Sequence, residues 1–114
     1  MARLKEYSGK ILLEIGNGKI KDFYGKTLYL IDDETVKEYS GMIKYRLDKD
    51  KIKDFSGRVI LEFDGKRVRR FAGLTMYEYD NGKIKKFAGN IIYLVDGYIS
   101  PNELLALIAI LFAE

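Results

Sequence analysis

Apolar residues alternate with polar ones along most of this chain, and the alternation restarts every sixteen residues. An aromatic-x-Gly triplet marks each restart: Tyr7-Ser8-Gly9, Phe23-Tyr24-Gly25, Tyr39-Ser40-Gly41, Phe55-Ser56-Gly57, Phe71-Ala72-Gly73 and Phe87-Ala88-Gly89. Counted from each glycine, the second position holds Ile11, Thr27, Ile43, Val59, Thr75 and Ile91. The fourth holds Leu13, Tyr29, Tyr45, Leu61, Tyr77 and Tyr93, and the sixth Ile15, Ile31, Leu47, Phe63, Tyr79 and Val95. A period of two, rich in β-branched and aromatic types, predicts a strand. Turn formers come after each run, as in Gly16-Asn17-Gly18, Asp80-Asn81-Gly82 and Asp96-Gly97. Gly, Asn and Asp tolerate the positive φ of a tight hairpin. A second short strand then carries Ile20, Val36, Ile52, Val68 or Ile84 and ends at the next triplet.

Each repeat is therefore one β-hairpin. Leu4 falls in the column of Ile20, so the chain starts on a half-repeat, and counting from there to Val95 gives twelve strands. A thirteenth, Tyr98-Ile99, is expected to run into the C-terminal segment. In the second strand the aliphatic and aromatic columns lie three residues apart (Ile20 to Phe23), which strict alternation would put on opposite faces. A β-bulge at the intervening charged pair (Lys21-Asp22, Lys37-Glu38, Lys53-Asp54) would turn both inward and curve the sheet. Without it the aromatics form an exposed ladder on a flatter sheet.

Ten consecutive apolar residues, Leu104 to Ala113, come directly after Ser100-Pro101-Asn102-Glu103. Ser at N-cap, Pro at N1 and Glu at N3 make a capping box, so a helix with no polar face is predicted. Such a helix must be covered on every side. About 13 residues make roughly 20 Å of helix, and strands of five or six residues are about 17–20 Å long. The fold class that results is mainly β, within a single domain over 1–114. An antiparallel meander of six 16-residue hairpin repeats (1–99) curls into a barrel or strongly curved sheet around a buried apolar C-terminal α-helix (100–114). The alternative is an open sheet whose exposed face and helix are covered by a second copy. The regular period also fits an engineered or idealised repeat protein with no biological activity.

Composition narrows the chemistry. Among 114 residues there is no Cys and no His, which removes disulfides, thiolate chemistry and the commonest general base. No leader or membrane-spanning run is recognised, so a cytoplasmic location is the default expectation. Net charge is +3, unevenly placed. Residues 65–90 carry Lys66, Arg67, Arg69, Arg70, Lys83, Lys85 and Lys86 against only Glu78 and Asp80. This basic patch is the candidate ligand-binding site, for an anionic ligand or membrane surface and less readily for nucleic acid.

No catalytic motif, metal-ligand cluster or cofactor signature is present. Asp48-Lys49-Asp50 lacks the further ligands of a calcium loop, and the repeated aspartates read as turn formers. Tyr29, Tyr45, Tyr77 and Tyr93 share an inward column and belong to the core, whereas Tyr24 and Tyr98 are surface candidates. The expectation is a non-catalytic structural or binding module. Its partner would be another protein or a second copy, with no small-molecule substrate and no cofactor.

Overall fold

The computed structural model describes residues 1–70 and 73–113; Phe71 and Ala72 of the fifth triplet, and Glu114, lie outside the described residues. Among the described residues twelve strands appear in chain order: β1 (Ala2–Glu6), β2 (Ile11–Gly16), β3 (Lys19–Asp22), β4 (Thr27–Ile31), β5 (Thr35–Glu38), β6 (Ile43–Asp48), β7 (Lys51–Asp54), β8 (Val59–Phe63), β9 (Arg67–Arg70), β10 (Thr75–Asp80), β11 (Lys83–Lys86) and β12 (Ile91–Gly97). A helix, α1 (Pro101–Phe112), comes last. Each strand pairs antiparallel with the next, and β1 pairs with β12 in the register Ala2↔Gly97, Leu4↔Val95, Glu6↔Tyr93. The sheet is a closed barrel, so none of these strands is left as an edge. The expected thirteenth strand does not form: residues 98–100 are an irregular link into the helix, because β1 already occupies the position beside β12.

Turns of two kinds alternate, and the meander sends each kind to its own rim. At the short-turn rim, Asn17 (φ 53°) with Gly18 (φ 72°) and Asn81 (φ 48°) with Gly82 (φ 79°) make two-residue turns of the type whose twist matches paired strands. At the glycine rim the triplets make a longer turn. In the second of them the Gly25 amide donates to the Asp22 carbonyl (3.1 Å), the Asp22 amide donates to the Lys26 carbonyl (2.9 Å), and Gly25 takes φ 86°.

The lumen is built from named layers. Leu4, Ile20, Val36, Ile52, Val68 and Ile84, one from each odd-numbered strand, are all fully buried. Ile15, Ile31, Leu47, Phe63 and Val95 add a second buried layer from the even-numbered strands. Tyr45 is buried, and Tyr29, Tyr77 and Tyr93 pack against this core half-buried.

Helix α1 fills the remaining space. Leu104 to Ala109 are buried without a break, and six successive residues at about 3.6 per turn sample every side of a helix. It is therefore enclosed. Its start is pinned at the short-turn rim, where Asn102 Nδ2 donates to the Asp32 carbonyl (2.8 Å). Its end lies towards the glycine rim, where the Phe112 ring stacks on Tyr77 at 3.9 Å. A twelve-residue helix is about 18 Å long, close to the short dimension of a molecule measuring 36 × 35 × 20 Å.

The five described triplet aromatics do not turn inward, which corrects the expectation of a bulge at the charged pair. Tyr7, Phe23, Tyr39, Phe55 and Phe87 are 56–69% exposed. A bulge does occur in every hairpin, but on the even-numbered strand and not at the charged pair of the odd one. The register skips Leu12, Leu28, Lys44, Ile60, Met76 and Ile92 in turn. The odd strand runs straight to the residue before the aromatic. The aromatic then falls at the mouth of the turn, beyond the last ladder pair. There the Tyr39 and Phe87 amides still donate to the Leu28 and Met76 carbonyls of the neighbouring strands, but the rings stand out in solvent.

Candidate functional surfaces

Three tiers of side chains result from that topology. The first is the glycine rim. Besides the five triplet aromatics it exposes Tyr24 (90%), Met42 and Leu74. At its centre the last helical turn, Ile110 to Ala113, is half-buried. Between the first two turns lies a cleft of ≈ 550 Å³, lined by Ile11, Leu12, Phe23 and Tyr24 with Lys10 and Asp22. The Phe23 and Tyr24 rings meet edge to face at 5.5 Å. Arg46 fixes the fourth turn, its Nε donating to the Phe55 carbonyl at 3.0 Å.

The second tier is the outer wall. Every odd strand holds its buried aliphatic between two residues that period-two alternation turns outward. Eleven of those twelve positions are Lys or Arg, from Arg3 and Lys5 on β1 to Lys83 and Lys85 on β11, with Thr35 the exception. The candidate basic patch is one sector of this belt. Arg67 and Lys85 both stand opposite Glu78 of β10, and Arg69 opposite Glu62 of β8. Arg69 also lies 3.7 Å from Asp64, and Arg70 Nε donates to Met76 Sδ at 2.9 Å. Lys66 lies in a short turn and Lys83 opposite Asp80, while Arg70 and Lys86 stand at the foot of the glycine rim. The sequence window thus joins three places, and the belt runs right round the barrel.

The third tier is the short-turn rim. Eight carboxylates gather there, Asp32, Asp33, Glu34, Asp50 and Asp64 in the turns and Asp48, Asp80 and Asp96 at strand ends. Beside them stand Lys49 and Lys66 in the turns, and Arg3, Lys19, Lys51, Arg67 and Lys83 near the starts of the odd strands. Several of these carboxylates tie turn and belt together: Lys37 to Asp32 (3.8 Å), Lys53 to Asp48 (3.2 Å) and Lys5 to Asp96 (3.1 Å). Exposed pairs of this kind contribute about 0–1 kcal/mol each. The Glu34 amide, with the Thr35 hydroxyl and amide, holds the Asp32 carboxyl below its ordinary 3.8. The Arg67 and Lys66 amides and the Arg69 charge do the same for Asp64. At the opposite rim the Ser56 hydroxyl and Arg58 amide lower Asp54. These carboxylates stay ionised at neutral pH and are occupied as turn caps. A second cleft of ≈ 520 Å³, lined by Lys49, Asp50, Phe63, Asp64, Tyr79 and Leu104, opens beside the start of α1.

Among the described residues no group of three or more Asp or Glu is placed to hold a metal ion, and no buried side-chain nitrogen or oxygen lacks a hydrogen-bond partner. No helix among them is long and apolar enough to cross a membrane. Of the sequence-based surface candidates, Tyr24 lies on the aromatic rim and Tyr98, 73% exposed, in the link to α1. The rim itself is the feature that sequence reasoning missed. Its signal was present in the triplet: a glycine at positive φ two residues after the aromatic places that aromatic in the turn. Compared with family models, curated proteins and solved structures, the chain has no match.

Proposed function

We propose that this protein is a non-catalytic binding module that meets an extended macromolecular surface through its glycine rim. One observation carries the reading: a ring of large apolar side chains, Tyr24 at 90% exposure foremost, is held out by turns that the triplet repeats along the chain. Scattered exposed hydrophobics need no explanation, but a set of them gathered at one end of the barrel marks an interaction site. The lumen, where a small barrel would take a small molecule, is occupied by α1. Asp22, Asp32, Asp54 and Asp64 are engaged in turn capping, and the reading rests on the surface.

The test is site-specific photocrosslinking in a cell extract that retains its membranes, with a benzophenone amino acid at position 24 or at position 33 on the opposite rim. Adducts from position 24 and none from position 33 are expected. No adducts from position 24, or equal labelling from both, overturns the proposal.

A further inference from the structure

We infer that the surface met by the glycine rim is an anionic lipid bilayer, a step that rests on the binding-module reading above. The order of the tiers along the barrel axis points there. The apolar face combines Phe and Tyr side chains with the half-buried helix end around Phe112. Tyr and Trp rings favour the headgroup level of a membrane, where one end of the side chain is apolar and the other wet.

Immediately behind each of these aromatics stands a cation of the belt, two residues back: Lys5 behind Tyr7, Lys21 behind Phe23, Lys37 behind Tyr39, Lys53 behind Phe55, Lys85 behind Phe87. At strand rise that is about 7 Å. Lys5, Lys37 and Lys53 pair with Asp96, Asp32 and Asp48 on the side of the far rim, and Lys21 and Lys85 are the belt cations placed to face the headgroups. Lys10, Lys26 and Arg58 stand exposed on the rim itself. The carboxylate-rich rim is at the far end. Charge and apolarity therefore orient the molecule the same way, positive and apolar towards the surface, negative away from it. Basic residues near an anionic leaflet add attraction that decays over a Debye length.

The same order disfavours the other occupants of an apolar face. A second copy docked rim to rim would bring two basic belts together. A nucleic acid duplex would be met by the belt, leaving the aromatic rim unused. Turn amides engage the carboxylates of Asp22 and Asp54 without removing their charge, so these acids, with Glu6 and Glu38, oppose the bilayer but are outnumbered by the rim and belt cations. Those amides are Tyr24 and Lys26 at 2.9 Å for Asp22, and Ser56 and Arg58 at 3.0 Å for Asp54.

The experiment is co-sedimentation of the full chain with vesicles of phosphatidylcholine alone or mixed with phosphatidylserine, at low and at high salt. Binding to the mixed vesicles, weakened by salt, is expected. Tyr24→Ser with Phe55→Ser should abolish it. Lys10→Glu with Lys26→Glu and Arg58→Glu should lower the partition coefficient by more than about tenfold. All five positions are exposed, and unchanged far-UV circular dichroism verifies that each variant is folded. The inference is overturned by absence of binding, by equal binding to the neutral vesicles, or by rim variants that bind like the parent. It is also overturned by a dimer that the Tyr24→Ser and Phe55→Ser variant breaks. If vesicles fail while position 24 still crosslinks to a protein, the lipid assignment falls and the binding module stands; if crosslinking fails too, both fall.

Discussion

Ala88 is the residue least suited to its place. It adopts φ 55°, while Gly89, the glycine of its triplet, does not take the positive φ that Gly25, Gly41 and Gly57 take. The sixth turn has therefore moved its left-handed position one residue earlier. The residue before the aromatic differs as well: the carboxylates of Asp22 and Asp54 accept from two turn amides each, and the Lys86 side chain has no acceptor to offer. A left-handed alanine costs roughly 1–2 kcal/mol, part of which glycine gives back through its looser unfolded chain. Ala88→Gly should therefore raise stability by about 0.5–1 kcal/mol, read as a higher urea midpoint at unchanged slope; a lower midpoint would refute the turn assignment. The capping acids predict a pH dependence. Asp32, Asp54 and Asp64 have folded pKa values below the ordinary 3.8, so their stabilisation is complete above the unfolded value and disappears as pH falls through the folded ones. The urea midpoint should hold steady in the neutral range and drop below about pH 4. Replacing Asp32 and Asp64 together by Asn should flatten that drop.

At the scale of elements, the helix is the part whose loss matters most. Burying Leu104, Leu105, Leu107 and Ile108 contributes about 6–12 kcal/mol as an upper figure, comparable with the roughly 5–15 kcal/mol net stability of a typical domain. Leu107, fully buried at the middle of α1, tests this: Leu107→Ala should cost about 2–5 kcal/mol by chemical denaturation. Ser100 closes the capping box, with its Oγ accepting from the Glu103 amide and its amide donating to Glu103 Oε1, both at 3.2 Å. Ser100→Ala should cost only about 1 kcal/mol, so the two variants separate packing from capping. Both features were legible in the sequence, because a capping box before an unbroken apolar run leaves one physical solution. The strands were legible too, since Ile11-Leu13-Ile15 and its five copies keep a β-branched, aromatic or aliphatic residue at every second place, even where Leu28, Leu30, Ile92 and Leu94 make the positions between apolar as well. The bulge was legible only as a need. Which strand carries the extra residue depends on the ladder across from it, and Leu12 or Ile60 looks in sequence like any outward strand residue. That misplacement carried the aromatics to the wrong side, and with them the rim.

Closure is the property of the whole molecule that no single repeat contains. Eleven of the strand pairings join neighbours in sequence; the twelfth joins Ala2 to Gly97 and Glu6 to Tyr93. A pairing across so long a loop is the slowest kind to form, so the seam between β1 and β12 should close last. The regular hairpins explain why the sequence alone left barrel and open sheet both standing: every repeat satisfies its own turns, and the choice lies in whether the accumulated curvature of six bulges brings Leu4 alongside Val95. Without β1, the facing edges of β2 and β12 are bare and the lumen lacks Ala2 and Leu4, both fully buried. Exposed edges of this kind recruit other chains. A chain lacking residues 1–9 should therefore sediment as dimers and larger species. A synthetic peptide of those residues should return it to monomer and raise its unfolding temperature by filling the same slot. A truncated chain that stays monomeric, with the melting temperature of the parent, would show that the hairpins hold their curvature around α1 without the seam.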